Sequence, residues 1–564
     1  MDITKITGAQ AVLESLVAEN VDTIFGYPGG AIMPIYDALY DYSNVVNHIL
    51  VRHEQGAIHA VQGYARTSGK VGMVFATSGP GATNLITGLA DALIDSTPLV
   101  CITGQVASHL LGTDAFQETD VIGISMPVTK WNCQVTKAED IPAAIAKAFY
   151  IAQTGRPGPV LIDITKDAQF GEMEFSYERC TKIRSYHPKP EVNKQAVEAA
   201  ALLINQAKKP FLVIGQGIML SNAEKELLQF AEKSGIPVAS TLLGLGAFPN
   251  NHPKYVGFLG MHGDYAPNIK TNECDVLIAI GMRFDDRVTG DVSRYAKQAK
   301  VIHVDIDASE INKIIKADVP VHADAKDALQ LLTELVSEKE HTAWLQEFKS
   351  AKEMEVRTLQ ESAALLQSEE LKMDEVIKMV SKITNGEAVV VTDVGQHQMM
   401  TARYYQYNKT KSNITSGGLG TMGFALPAAI GAKFGAPEKT VVAIIGDGGF
   451  QMTLQELGTI LQSKVDVKII ILNNRFLGMV RQWQQLFFEK RYSFTEMISP
   501  DFVTLAKAYD IEAAKIETRT DLEDALLKIL NHKGSYLLEV MVAKEENVFP
   551  MVPTGASVSE IRLN

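Results

Sequence analysis

VVAIIGDGGFQMTLQELGTILQSKVDVKIIILNN, residues 441–474, reads as strand, glycine-rich turn, helix and strand. Val441–Ile445 and Lys468–Leu472 are apolar, β-branched runs of strand length, and the stretch between them patterns as a helix at roughly Thr453–Gln462. A crossover between two parallel strands brings both carboxyl ends to one edge of the sheet. Asp447 directly follows the first strand and Asn474 the second, so their side chains are expected to converge. A carboxylate and an amide carbonyl are hard oxygen donors, suited to an octahedral magnesium that also takes phosphate oxygens. Gly446, Gly448 and Gly449 would let backbone amides approach a phosphate near a helix N-terminus. Gly446-Asp447-Gly448 alone reads equally well as a tight turn with an Asp cap. The paired asparagines Asn473-Asn474 after the next strand tip the balance towards a metal–phosphate site.

The same rhythm runs through the chain. Val71–Ala76, Leu99–Thr103, Val160–Ile164, Phe211–Gly215, Val276–Ile280 and Val389–Thr392 are further strand-length runs separated by helical patterns. Strands alternating with helices predict an α/β fold of mostly parallel, doubly wound sheets. With 564 residues the chain is too long for one core, and three domains are expected. Their limits are placed at 1–168, 194–338 and 373–545, joined by linkers at 169–193 and 339–372 and followed by a tail at 546–564 that could form a lid. The stretch VFATSGPGATNLITGLADALIDSTPLVCITG in the first domain echoes the opening motif of the third, which predicts two related outer domains.

A formal net charge of −13 argues against nucleic acid or an anionic membrane as the main partner. Cys101, Cys133, Cys180 and Cys274 lie far apart with no CxxC spacing, so neither a zinc site nor a disulfide framework is indicated. The N-terminus lacks the basic start and apolar core of a secretory signal, and a cytoplasmic location is expected.

VVNHILVRHEQGAIHAVQGYART reads as a strand running into a helix with Glu54 at the junction. A helix-start carboxylate is the ordinary reading, but the flanking RHEQGA resembles the activating-glutamate segment of thiamine-diphosphate enzymes. The GDG…NN motif resembles the cofactor signature of the same family. This resemblance implies a thiamine-diphosphate-binding fold in the outer domains, a Rossmann-like middle domain, and a coenzyme whose aminopyrimidine ring is bonded by Glu54. It implies Asp447, Asn474 and the backbone carbonyl of Phe476 as magnesium ligands, and Met422, in SGGLGTMGFALPAA, as the wedge that bends the coenzyme. Pro28, Gly395, Gln396, His397, Gly420, Gly446, Gly448, Gly449, Gly478 and Met479 complete the implied coenzyme site. A homodimer follows by the same resemblance, or a tetramer of that unit, because Glu54 and Asp447 lie in different domains and serve one small cofactor.

GYPGGAI (Gly26–Ile32), GTDAFQETD (Gly112–Asp120), GRPGPV (Gly155–Val160), RFDDRVTG (Arg283–Gly290) and GMVRQWQ (Gly478–Gln484) narrow the resemblance to acetohydroxyacid synthases. Met479 and Trp483 fall on one face if that last segment is helical. In that family the matching tryptophan shapes the pocket for the acceptor's alkyl group, with Met479, Val480 and Arg287 as further substrate contacts. Gly30, Gln117 and Lys166 sit at catalytic positions of the family. The resemblance also implies FAD without net redox work, held by Arg156, Gly215, Gly217, Thr241, Leu242, Met261, His262, Gly281, Arg283, Asp285, Arg287, Asp305, Ile306, Asp324 and Ala325. Read from the residues alone, Gly215-Gln-Gly217 is only half a dinucleotide fingerprint, since Leu220 occupies the third glycine position.

The function so implied is decarboxylation of pyruvate on thiamine diphosphate and transfer of the two-carbon unit to pyruvate or 2-ketobutyrate. The products are 2-acetolactate or 2-aceto-2-hydroxybutyrate, in branched-chain amino-acid biosynthesis, and many relatives bind a small regulatory subunit. A flavin-using pyruvate oxidase and an FAD-free catabolic acetolactate synthase stay open as alternatives.

Overall fold

The computed structural model describes residues 5–366 and 370–564. Three six-stranded sheets, parallel throughout, organise three domains. The first runs in space Asn47–Leu50, Thr23–Gly26, Gly72–Ala76, Leu99–Gln105, Pro159–Thr165, Trp131–Val135. The third runs Asn413–Thr415, Val389–Thr392, Val441–Gly446, Lys468–Asn473, Tyr536–Met541, Glu512–Ile516. Numbered along the chain within each domain, both sheets have the order 2-1-3-4-6-5. The echo between the two glycine-rich motifs is therefore a repeated topology. The central sheet, from Tyr255–Phe258 to Val319–His322, has the Rossmann order 3-2-1-4-5-6.

Strands covered by helices on both faces should be apolar on both faces. Gly72–Ala76, Leu99–Gln105, Pro159–Thr165 and Val276–Ile280 are buried at every residue. In the first domain Ile24, Phe75 and Ile102 enter one core layer, and Phe25, Val74 and Cys101 enter the opposite one.

Where the strand order of an open parallel sheet reverses, neighbouring loops leave in opposite directions and a crevice opens at the carboxyl edge. The three reversals lie between Thr23–Gly26 and Gly72–Ala76, between Pro210–Ile214 and Val276–Ile280, and between Val389–Thr392 and Val441–Gly446. The loops and helix starts at these crevices carry Tyr27–Gly30 and Thr77–Gly79, Gly215–Gly217 and Gly281–Arg283, and Asp393–His397 and Asp447–Gly449.

The two expected linkers are more than connections. Glu172–Glu174 pairs antiparallel with Lys5–Thr7, so the start of segment 169–193 belongs to the first domain. Segment 339–372 is mostly one helix, Thr342–Leu366. Its Trp344 and Phe348 are buried, and Phe348 packs against Phe211 of the central sheet. The charge that reads as a linker signature is partly internal, because the buried Glu355 pairs with Arg403 of the third domain.

The tail crosses from the third domain to the central one. Val552 N–H donates to the Met261 carbonyl (2.8 Å), Asp291 N–H to the Ala556 carbonyl (3.0 Å), and Arg294 pairs with Glu560 (2.9 Å). Among the described residues no helix is long and apolar enough to cross a membrane.

Candidate active site

Asp447 opens the helix Asp447–Thr453, followed by a short 3-10 turn and a second helix, Leu457–Ser463. The helix thus begins before the expected Thr453 and breaks where the expectation had it continuous. Glycines in GDGG lower helix propensity and hide its start, while burial under the third-domain sheet supplies the missing stability. Asp447 and Asn474 are both buried at the carboxyl edge. Burial, with help from the charge of Glu539, pushes the Asp447 carboxyl up to about 6 against the opposing Ser499 hydroxyl and Asn474 N–H. A buried carboxylate so short of positive charge suits a cation. Asn474 Oδ1 accepts Phe476 N–H at 3.1 Å, and its Nδ2 donates to Gln396 Oε1 at 3.3 Å.

Only one carboxylate is in this donor set, and among the described residues no cluster of three His, Cys, Asp or Glu side chains could hold a metal. Such a set fits magnesium only where phosphate oxygens supply the other ligands. A Cβ on Gly478 would stand 2.2 Å from Gln396 Oε1 and 2.7 Å from Asn474 Nδ2, so glycine lets the backbone approach these two amides closely. His397 Nε2 and Thr421 Oγ1 are buried with no partner among the described residues, as expected of groups awaiting a polar ligand. Asp393, which the sequence did not single out, accepts the N–H groups of Gly423 (3.0 Å) and Ala425 (2.9 Å). It thereby fixes the loop that carries Gly420 and Met422.

In the first domain, Glu54 is the first residue of the helix Glu54–Ser68 and is 8% exposed. Its Oε2 accepts Asn84 Nδ2 at 2.9 Å, a partner that gave no signal in the TSGPGATN turn. Gly30 follows the neighbouring strand, Ala31 N–H donates to Thr77 Oγ1 (3.2 Å), and the Gln117 backbone lies against Gly79 with a left-handed φ of 60°. Lys166 begins a short helix directly after Pro159–Thr165. Pro28, Gly30, Glu54, Gln117 and Lys166 therefore all leave one sheet edge.

A single cavity of about 730 Å³ joins the central and third domains. Of the expected flavin residues, Arg156, Gly217, Thr241, Leu242, Met261, His262, Gly281, Arg283, Asp285, Arg287, Asp305, Ile306, Asp324 and Ala325 line it. Gly215 does not. A Cβ there would stand 2.2 Å from the Gly281 carbonyl, so this glycine permits close backbone packing between two loops. Burial pushes the Asp305 carboxyl up to about 6, and Asp324 caps the helix Ala325–Leu335 while accepting Ser221 Oγ (2.7 Å). Arg156 reaches in from the first domain to pair with Glu310 (2.9 Å) and Asp307 (3.3 Å).

The helix Gly478–Phe487 brings Met479, Val480 and Trp483 into that cavity, together with Gly395, Gly420 and Met422. Gln396, His397, Asp447, Asn474, Phe476 and Gly478 lie beyond its lining, as do Gly446, Gly448 and Gly449. Pro28, Gly30, Glu54, Gln117 and Lys166 also do not line it. These two groups, one in the third domain and one in the first, lie outside the cavity. Both are bordered by exposed apolar side chains: Met33, Phe116 and Phe170 in the first domain, Met452, Phe494 and Ile498 in the third.

Residues 6–124 match the N-terminal TPP-binding domain of thiamine pyrophosphate enzymes, 197–332 the central domain and 393–540 the C-terminal TPP-binding domain. The chain is 47% identical to the acetolactate synthase isozyme 2 large subunit of Escherichia coli, over 99% of both chains. It is 44% identical to the acetolactate synthase large subunit of Lactococcus lactis, over 98% of this chain and 96% of that one. To a probable acetolactate synthase large subunit of Methanocaldococcus jannaschii it is 46% identical, over 98% and 95%.

Proposed function

On the premise that this chain belongs to the thiamine pyrophosphate enzymes, among the acetolactate synthase large subunits, we propose the following account of its chemistry. It decarboxylates pyruvate and joins the two-carbon product to pyruvate or 2-ketobutyrate, giving 2-acetolactate or 2-aceto-2-hydroxybutyrate for branched-chain amino-acid synthesis. The observation that carries this reading is the shared cavity: Trp483 and Met479 open into the space that also holds Arg287 and Met422. A largely apolar pocket whose lining also includes Arg156, Arg283 and Arg287 fits a short 2-ketoacid, the indole gripping the alkyl end and the Arg287 guanidinium the carboxylate.

Thiamine diphosphate, when bound, supplies the carbon nucleophile and the electron sink for decarboxylation. Asp447, Asn474 and the Phe476 carbonyl hold its magnesium, and Gln396, His397 and the glycines around Asp447 hold its diphosphate. Met422, which lines the cavity, would supply an apolar support for the coenzyme. Glu54 exchanges a proton with the aminopyrimidine ring. Since Asn84 donates to Oε2, Oε1 would be the oxygen left for the ring. Gly30 and Gln117 supply polar contacts near the reacting carbon, Lys166 lies at the channel beside them, and the central cavity holds FAD in a non-redox role.

We place the complete site between two copies of the chain, the first domain of one facing the third domain of the other. The placement of Glu54 and Asp447 in different domains and the exposed apolar side chains of both domains support this arrangement. The large-subunit designation of the relatives supports a smaller regulatory partner, and four free cysteines fit a cytoplasmic enzyme. The domain limits 1–168, 194–338 and 373–545 stand in this account as working boundaries, with the tail as a lid. The test is a competition assay with pyruvate and 2-ketobutyrate, supplying and withholding thiamine diphosphate, Mg2+ and FAD in turn. Acetohydroxyacid formed without oxygen uptake, and lost with each omission, is the expected result. Oxygen consumption coupled to pyruvate turnover would replace it with a pyruvate oxidase.

A further inference from the structure

Gln482 is fully buried and does not line the cavity, and it reaches the proposed coenzyme site only through Gln396. Its neighbours in sequence, Met479 and Trp483, have an evident place in the pocket, while Gln482 points into a chain of amides. Val548 N–H, in the tail, donates to Gln482 Oε1 at 2.8 Å. The same oxygen accepts Gln396 Nε2 at 2.9 Å, and Gln396 Nε2 also donates to the Glu546 carbonyl at 2.8 Å. Gln396 Oε1 then accepts Asn474 Nδ2. Gln482 Nε2 closes the circuit on the Val548 carbonyl at 3.2 Å.

An amide side chain can be turned either way, so its oxygen and nitrogen must be assigned from their partners. Here the backbone makes the assignment. Val548 N–H can only donate, which compels Gln482 to present its oxygen. The Glu546 carbonyl can only accept, which compels Gln396 to present its nitrogen. Gln396 is left with its oxygen towards Asn474, whose nitrogen must answer it. Asn474 Oδ1 is thereby turned away from Gln396; it accepts Phe476 N–H at 3.1 Å, which favours the same orientation, and keeps a second lone pair for a metal. A reversed Asn474 would offer an NH2 group, which is no ligand for magnesium.

We propose that Gln482 is a positioning residue through which the docked C-terminal tail orients the Asn474 amide for metal binding. The proposal rests on the reading of Asp447 and Asn474 as ligands. Tail docking and metal binding are then linked, and linkage is reciprocal: what favours one favours the other by the same factor.

The test uses Mn2+ as the spectroscopic probe, with thiamine diphosphate present, on the full-length protein and its Gln482→Met variant. Methionine keeps the length of the side chain and removes both polar ends. Free Mn2+ measured by electron paramagnetic resonance should show binding weakened about 10- to 100-fold, the usual cost of losing an outer partner of a metal ligand. Circular dichroism establishes that the variant is folded; a purely structural role predicts lower stability with unchanged Mn2+ affinity, and that result overturns the proposal. Should the variant fail to fold, hydrogen exchange on the wild type decides: Mn2+ with coenzyme should slow exchange of the Val548 amide, and an unchanged rate overturns the proposal. A wild type that binds no Mn2+ at all would refute the ligand reading beneath it.

Discussion

Asp95 Oδ1 accepts the backbone N–H of Gly418 at 2.7 Å. Its other oxygen accepts Gly417 N–H (2.8 Å) and pairs with Arg66 (3.0 Å), and both charged side chains are buried. A carboxylate at the end of a first-domain helix therefore holds the third-domain loop that leads to Gly420 and Met422. Breaking a buried pair leaves an uncompensated charge, at a cost of about 3–5 kcal/mol. Asp95→Ala is expected to lose stability of that order in urea unfolding and to weaken thiamine diphosphate binding, since the freed loop carries the proposed wedge. Unaltered coenzyme affinity in a destabilised variant would confine Asp95 to a structural role.

Glu54→Gln keeps the volume and the contact to Asn84 while removing the exchangeable acid. General acid–base catalysis contributes about 10²- to 10⁴-fold, so kcat for carboligation should fall within that range. Mg2+ affinity should stay unchanged, because Asp447 and Asn474 lie in the third domain. Steady-state kinetics with metal titration checks both parts.

Trp483 lies tilted against Phe487 with ring centroids 5.1 Å apart, one turn further along the same helix. If the indole grips the additional methylene of 2-ketobutyrate, Trp483→Leu removes a discrimination worth about 1–3 kcal/mol. The product ratio in a two-acceptor competition should then shift towards 2-acetolactate by about tenfold or more, with total carboligation reduced less. An unchanged ratio would relocate the acceptor pocket.

Burial lowers the imidazoles of His59 and His262 to about 3 and of His48 to about 4, with nearby arginines adding to the first two. In the unfolded chain each would titrate near 6.5. As pH falls through 6.5 the unfolded state takes up protons that the folded state refuses, so stability present above 6.5 is lost progressively towards pH 4. The melting temperature should therefore drop between pH 7 and 4.5, and His59→Gln, which removes one such group, should flatten the slope. A profile no flatter in the variant would count against a neutral buried His59.

Much of this was legible because the signals are local. A strand, a glycine and an acid in succession place Asp447 at a sheet edge, and a second strand ending in asparagines places Asn474 beside it. Alternation of apolar runs and helical patterns carries the three α/β domains. What stayed hidden depends on partners distant along the chain. Asn84, Asp95, Asp393 and Gln482 are ordinary polar residues until folding brings Glu54, Gly418, Gly423 and Val548 against them. The packing role of Gly215 was hidden because a glycine after a strand serves phosphate approach and backbone packing alike, and its neighbour, the Gly281 carbonyl, is distant along the chain. The helix Thr342–Leu366 read as a connector because its buried Trp344, Phe348 and Glu355 are sparse among exposed charges.

The central claim is that Asp447 and Asn474 clasp a divalent ion that anchors the coenzyme diphosphate. Calorimetric titration of thiamine diphosphate into the Mg2+-loaded protein tests it directly. The account predicts saturable binding that EDTA abolishes and that Asp447→Ala, still folded, no longer shows. Equal heats with and without the metal, or in the variant, would contradict it.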